Sequence, residues 1–168
     1  MIRTTRREAL GLALAGLFLP TLAVAQSPAE VRAPVEALYQ GLEKGMRAGA
    51  ATPFQTRFDA LAPVIDRAFD LSTILQVSVG LRWGSLDQAA KDALMTAFRR
   101  FTVASYVANF AKYDGERFEI GNDTRASGND QIVSSKIVGK GEPIKLDYVM
   151  RQTSGGWRIV DVLLDGTI

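Results

Sequence analysis

The sequence predicts an α+β fold, with helices first and an antiparallel sheet of about four strands after them. Three observations carry this. Residues 28–112 are rich in Ala, Leu and Arg and show no strand alternation. Residues 117–162 alternate apolar and polar side chains, the period of a half-buried strand. The breaks between those alternating runs are short and rich in Gly, Asn, Ser and Pro, so neighbouring strands pair as hairpins. Helices followed by strands segregate into an α+β arrangement rather than alternating as βαβ units.

The first 25 residues are set apart from that fold. Arg3, Arg6 and Arg7 precede an apolar run over residues 10–22, and Ala23-Val24-Ala25 offers small side chains at a cleavage site. This is the pattern of a secretory signal peptide. The run is shorter than the ~20 apolar residues a membrane span needs. Arg6-Arg7, followed closely by Leu10, hints at twin-arginine export. The expected organisation is therefore a signal peptide, 1–25, and one domain, 26–168. The whole chain has 20 basic and 18 acidic residues. Removing the leader takes away three Arg and one Glu and leaves 17 of each, so the mature protein is close to neutral. No broad basic surface for nucleic acid is built from such a balance.

The chain contains no Cys and no His. Disulfides, Ser-His-Asp and Cys-His nucleophile systems are excluded within it, and the commonest zinc ligand is missing. A domain of this length buries about two-thirds of its unfolded surface and needs no covalent staple.

A helix is expected over 29–48, with Val31, Val35, Leu38, Leu42 and Met46 at helical spacing. Gly49 and Pro53 end it. A second helix over 53–68 aligns Phe54, Phe58, Leu61 and Ile65, and Pro63 is placed to kink or split it. Asp70 is positioned to cap a short helix over 71–79, which Gly80 ends. The segment "LRWG" then makes a corner. Ser85 and Gln88 match a capping box for a long helix over 86–112. Strands follow over 117–123, 131–138, 144–151 and 156–163, with turns at 128–130, 139–143 and 154–156.

The long helix is unusual. Phe98, Phe101, Ser105, Ala108 and Ala111 lie on one side, and Val103, Tyr106, Val107 and Phe110 cover much of the rest. An ordinary surface helix needs one apolar stripe. This one must lie between two layers, or line a space filled by something apolar.

Candidate chemistry elsewhere is sparse. "GKGEP" at 139–143 lacks the Walker spacing and reads as a hairpin turn. Asp161 and Asp165 read as turn formers or surface charge rather than a carboxylate pair. Asp59, Asp66 and Asp70 lack the loop spacing of a calcium site. Trp83 is expected to pack as a core aromatic at its corner. Arg99-Arg100 is read as a solvated strip, with contact to anionic lipid heads or an acidic partner as the sharper alternative.

The ordered series Asp70-Leu71, Gly80-x-x-Trp83, Gln88, Phe98, Tyr106 and Tyr113-x-Gly115-Glu116 resembles the MlaC/toluene-tolerance auxiliary family. "IKLDYVMRQTSGGWRIVDVLLDGT" is similar to that family's last strands, and the likeness covers about residues 30–167. Within the family the chain looks closest to HpnM, the hopanoid-associated branch. The resemblance implies a periplasmic lipid carrier, not an enzyme, that uses no cofactor. It would hold a phospholipid or a hopanoid and pass it between an inner-membrane ABC transporter complex and an outer-membrane lipoprotein or other membrane component. The implied fold is a strongly twisted antiparallel sheet with helices packed on one side, enclosing an apolar pocket. Carried over by position, the sheet lining falls on Ile144, Leu146, Tyr148, Met150, Val162 and Leu164. The helical lining falls on Phe98, Phe101, Tyr106, Val107 and Phe110, with Leu75, Val79 and Trp83 before them. Burying two chains of ~14 methylenes is worth roughly 20 kcal/mol at about 0.8 kcal/mol each, so a carrier needs an enclosed apolar space. Family chains usually continue for tens of residues past the acidic-Gly motif. Ending at Ile168 leads to the expectation of an open pocket wall or of a shortened sequence. Two competing readings are a small periplasmic enzyme using Asp or Tyr as base, and an adaptor domain with a filled core.

Overall fold

The computed structural model describes residues 27–164. The expected leader and its cleavage site, and Asp165 with Gly166, lie outside the described residues. Among the described residues four α-helices precede a four-stranded antiparallel sheet that does not close.

Helix α1 is Pro28–Ala48, with Ser27 accepting a hydrogen bond from the Glu30 amide at 3.3 Å and Pro at its first turn. Both features suit a helix start, where amides lack partners. Its buried stripe is Val31, Val35, Leu38, Tyr39, Leu42 and Met46. Helix α2 is Phe54–Ala68 and runs unbroken through Pro63. A Cβ at Gly41 of α1 would stand 2.9 Å from Cγ1 of Val64. Only glycine lets α1 and α2 approach this closely.

Asp70 caps α3, Leu71–Val79, as expected. Its carboxylate accepts from the Thr73 amide at 3.0 Å and the Thr73 hydroxyl at 2.7 Å. The corner Gly80–Ser85 is a 3-10 turn. Helix α4 spans Gln88–Asn109, shorter at both ends than the expected 86–112. Its cap is not the Ser85–Gln88 box. Asp87 accepts from the Ala90 amide at 2.7 Å, Ser85 donates to the Arg82 carbonyl, and Gln88 donates to Asp92. A carboxylate two residues further along satisfies the same orphan amides with the favourable charge for a helix N-terminus.

The sheet runs β1 Arg117–Ser127, β2 Asp130–Val138, β3 Ile144–Thr153 and β4 Gly156–Leu164, in spatial order β1-β2-β3-β4. Gly128 and Gly156 turn their hairpins at φ 59° and 96°, values that glycine adopts without a Cβ clash. The pairing shifts between Ile120 and Thr124 on β1 and between Val149 and Met150 on β3. Cross-strand partners Val133 and Tyr148, then Met150 and Ile159, share the face that the helices cover. The α2–α3 link clips onto the β4 edge, where the Asp70 amide donates to the Ile159 carbonyl at 2.9 Å. That link holds the helical layer to one end of the sheet.

Two sequence expectations change. Trp83 is not core: it is half-buried in the corner, with the Lys91 ammonium 5.7 Å from its ring centre. Asp66 takes both guanidinium donors of Arg99, at 2.7 and 2.6 Å, so Arg99 ties α4 to α2 while Arg100 stays exposed.

Candidate lipid site

The second face of α4 meets a gap. Helix α4 packs mainly on α2 and α3 and buries only Val103 and Val107 completely. Between its last turns and strands β3 and β4 lies a cleft of about 300 Å³, lined by Ser105, Tyr106, Asn109, Phe110, Leu146, Tyr148 and Val162. Among the described residues no charged side chain lines it. Beyond the cleft the same sheet face continues to Ile144, opposite Ile137, and to Leu164, opposite Leu146, both about half exposed.

The cleft therefore brings together five of the fourteen residues expected at a lipid site: Tyr106, Phe110, Leu146, Tyr148 and Val162. The others are dispersed. Met150 and Leu75 are buried, Met150 fully. Phe98 is half-buried against the core. Val107 is buried but borders a different space, described below. Val79 and Trp83 are half-buried at the α3–α4 corner. Phe101 points away from the sheet, 69% exposed, and lines a shallow outer groove with Ala97, Arg100 and Ala104.

The polar side chains at and near the cleft are the Asn109 carboxamide and a set of hydroxyls. Tyr39 and Ser135 share a 2.6 Å hydrogen bond, and Ser135 donates to the Leu146 carbonyl at 3.1 Å. The Tyr39 ring stacks on Phe118 at 4.4 Å and meets Tyr148 edge-on at 5.8 Å. Burial pushes the hydroxyls of Tyr39, Tyr106 and Tyr148 above their ordinary value, because loss of water penalises a phenolate. All three stay protonated at neutral pH. An acid–base role needs a group poised near the working pH, and these are moved the opposite way. Asp59 accepts from Gln55, Asp66 pairs with Arg99 and Asp70 caps α3, so the three aspartates are engaged separately. Among the described residues no cluster of three or more His, Cys, Asp or Glu could hold a metal ion.

A second cavity, about 360 Å³, lies between α1, α2 and α4. Gly41, Gly45, Ala48 and Ala60 leave room for it, and Leu42, Leu61, Val107 and Phe110 supply apolar walls. Tyr106 and Phe110 line both spaces, so their stacked rings, 6.0 Å apart, are the partition between them. Sequence reasoning missed this cavity. Its signal was the small residues Gly41, Gly45 and Ala48 at helical spacing on α1.

The model of the MlaC protein family matches residues 36–168. The chain belongs to the MlaC family. Among solved structures this MlaC-family chain is similar to a phospholipid-binding protein from Ralstonia solanacearum, determined in complex with a phospholipid. The two share 22% identity over 84% of this chain and 79% of that one, with a TM-score of 0.70, a likeness of fold. No curated protein matches the chain. Among the described residues, no helix of this MlaC-family member is long and apolar enough to cross a membrane.

Proposed function

We propose that this protein is a periplasmic lipid carrier whose acyl-chain site is the cleft between α4 and the open end of β3 and β4. The observation that carries the proposal is an apolar cleft, with no charged lining among the described residues, that runs onto the exposed Ile144 and Leu164. A filled core would cover those side chains, and an active site would place polar groups among them. Membership of the MlaC family and the phospholipid-bound relative of the same fold support the reading.

The cleft is at the small end of the ~300–1,000 Å³ typical of ligand pockets. Loading therefore widens it, with the sheet end and α4 moving apart. That movement breaks little, because α4 is fixed chiefly to α2 and α3. The cargo is a two-chain phospholipid or a hopanoid, as the HpnM-like branch would use. It passes between an inner-membrane ABC transporter complex and an outer-membrane lipoprotein or other membrane component. The leader is cleaved on export. The test is solvent extraction and mass spectrometry of the exported protein. The expected result is a stoichiometric phospholipid or hopanoid. Protein that is repeatedly lipid-free and takes no lipid from vesicles contradicts the proposal.

A further inference from the structure

The cavity between α1, α2 and α4 has a charge pattern that the acyl-chain cleft lacks. Among the described residues three charged side chains line it, Lys44, Arg57 and Arg67, and all are basic. Arg57 is committed: it donates to the carbonyls of Thr52 and Val107, at 3.2 and 3.1 Å, and so caps the end of α4, where carbonyls lack partners. Nearby cations are neutralised, Arg47 by Glu43 and Arg99 by Asp66. Lys44 and Arg67 are exposed, and among the described residues neither has an acidic side chain within ion-pair distance. Both also line the neighbouring groove along α1 and α2, with Gly41 and Val64. They therefore stand where the apolar cavity opens to water.

We propose that this cavity is a second compartment of the lipid site, which takes the negatively charged head of an amphiphile at Lys44 and Arg67. The inference rests on the carrier reading, because Tyr106 and Phe110 alone are shared between cavity and cleft. Rotation of those two rings joins the spaces into one apolar passage, from the sheet face to a basic mouth. An uncharged or zwitterionic head gains less at that mouth, so the compartment selects anionic lipids.

The test offers the full chain vesicles of equal phosphatidylglycerol and phosphatidylcholine and counts the bound lipids by native mass spectrometry. The wild type should prefer phosphatidylglycerol about fivefold, the size expected of two partly exposed ion pairs. In the double variant Lys44→Gln, Arg67→Gln the ratio should fall to near unity. Ala60→Trp, which fills the helical cavity without touching the cleft, should also lower it, with a thermal melt verifying the fold. Wild type that binds both lipids equally, or a preference that survives in the double variant, overturns this inference and leaves the carrier reading standing. A wild type that takes neither lipid overturns this inference, and the carrier reading falls with it only if the exported protein also yields no phospholipid or hopanoid on extraction.

Discussion

Two ends of one sheet face differ more than their side chains do. On β3, Met150 is fully buried, Tyr148 is 2% exposed, Leu146 is half-buried and Ile144 is 48% exposed. On β4 the series Ile159, Val162, Leu164 follows the same gradient. At the Met150 end, α1 and α2 press on the sheet and the Asp70–Ile159 link holds them there. Toward the Ile144 end, α4 faces β3 and β4 across a cleft. Similar apolar residues are core at one end and lining at the other. What separates them is whether a helix is tied down over them. A carrier needs both conditions in one domain: a fixed end to keep the fold and an unfilled end to receive cargo.

Substitution at the fixed end gives the largest effect. Met150→Arg buries an unpaired charge with no route to water, and should cost about 3–5 kcal/mol or abolish folding. A chemical-denaturation curve of that variant beside the wild type measures it. A melt near the wild-type value would mean that the fixed end is looser than its burial implies.

Alkaline pH probes the boundary between the two ends, where Tyr39 and Tyr148 sit. Their folded-state pKa values lie above the unfolded ones. Their contribution is therefore complete below pH ~10 and declines as pH rises beyond it, by about 1.4 kcal/mol per pH unit for each tyrosine that stays protonated in the fold. Unfolding midpoints measured between neutral pH and pH ~11 should be level and then fall. A midpoint that stays level above the unfolded tyrosine value would contradict the buried hydroxyl cluster.

The smallest of these effects is Tyr39→Phe. It removes the 2.6 Å bond to Ser135 but leaves the ring stacked on Phe118, and Ser135 retains its bond to the Leu146 carbonyl. A loss of about 1 kcal/mol is expected, read from the shift in denaturation midpoint. A loss several times larger would mean that the hydroxyl pair, rather than the ring packing, holds α1 to the sheet.

The fold class, the helix order and the strand meander were legible in the sequence because they rest on local patterns. Asp70 before Leu71 and the Gly-marked hairpins behave as their chemistry requires. The long helix was legible as having too much apolar surface, and part of that surface does face the cleft. Depth was not legible. Alternation on β3 assigns Ile144, Leu146, Tyr148 and Met150 to one face, yet says nothing about which helix covers each. Phe101 shows the same limit: its helical phase reads as part of an apolar belt, whereas it is largely exposed to solvent. The α4 cap was misplaced because Ser85 and Asp87 are both good caps, and the 3-10 corner decides between them. The helical cavity escaped notice because absent side chains, at Gly41 and Gly45, make it.

The central claim is that the open end of the sheet is lining and the fixed end is core. Leu146→Arg tests it most directly. Leu146 lies on the same face as Met150, four residues nearer the open end. In a cleft its long side chain can lie along the apolar wall with the guanidinium reaching water. Thermal melts and lipid uptake from vesicles, measured together, should show a cooperative transition close to wild type and little bound lipid. A collapsed melt like that expected of Met150→Arg, or a folded variant that still fills with lipid, would contradict the account.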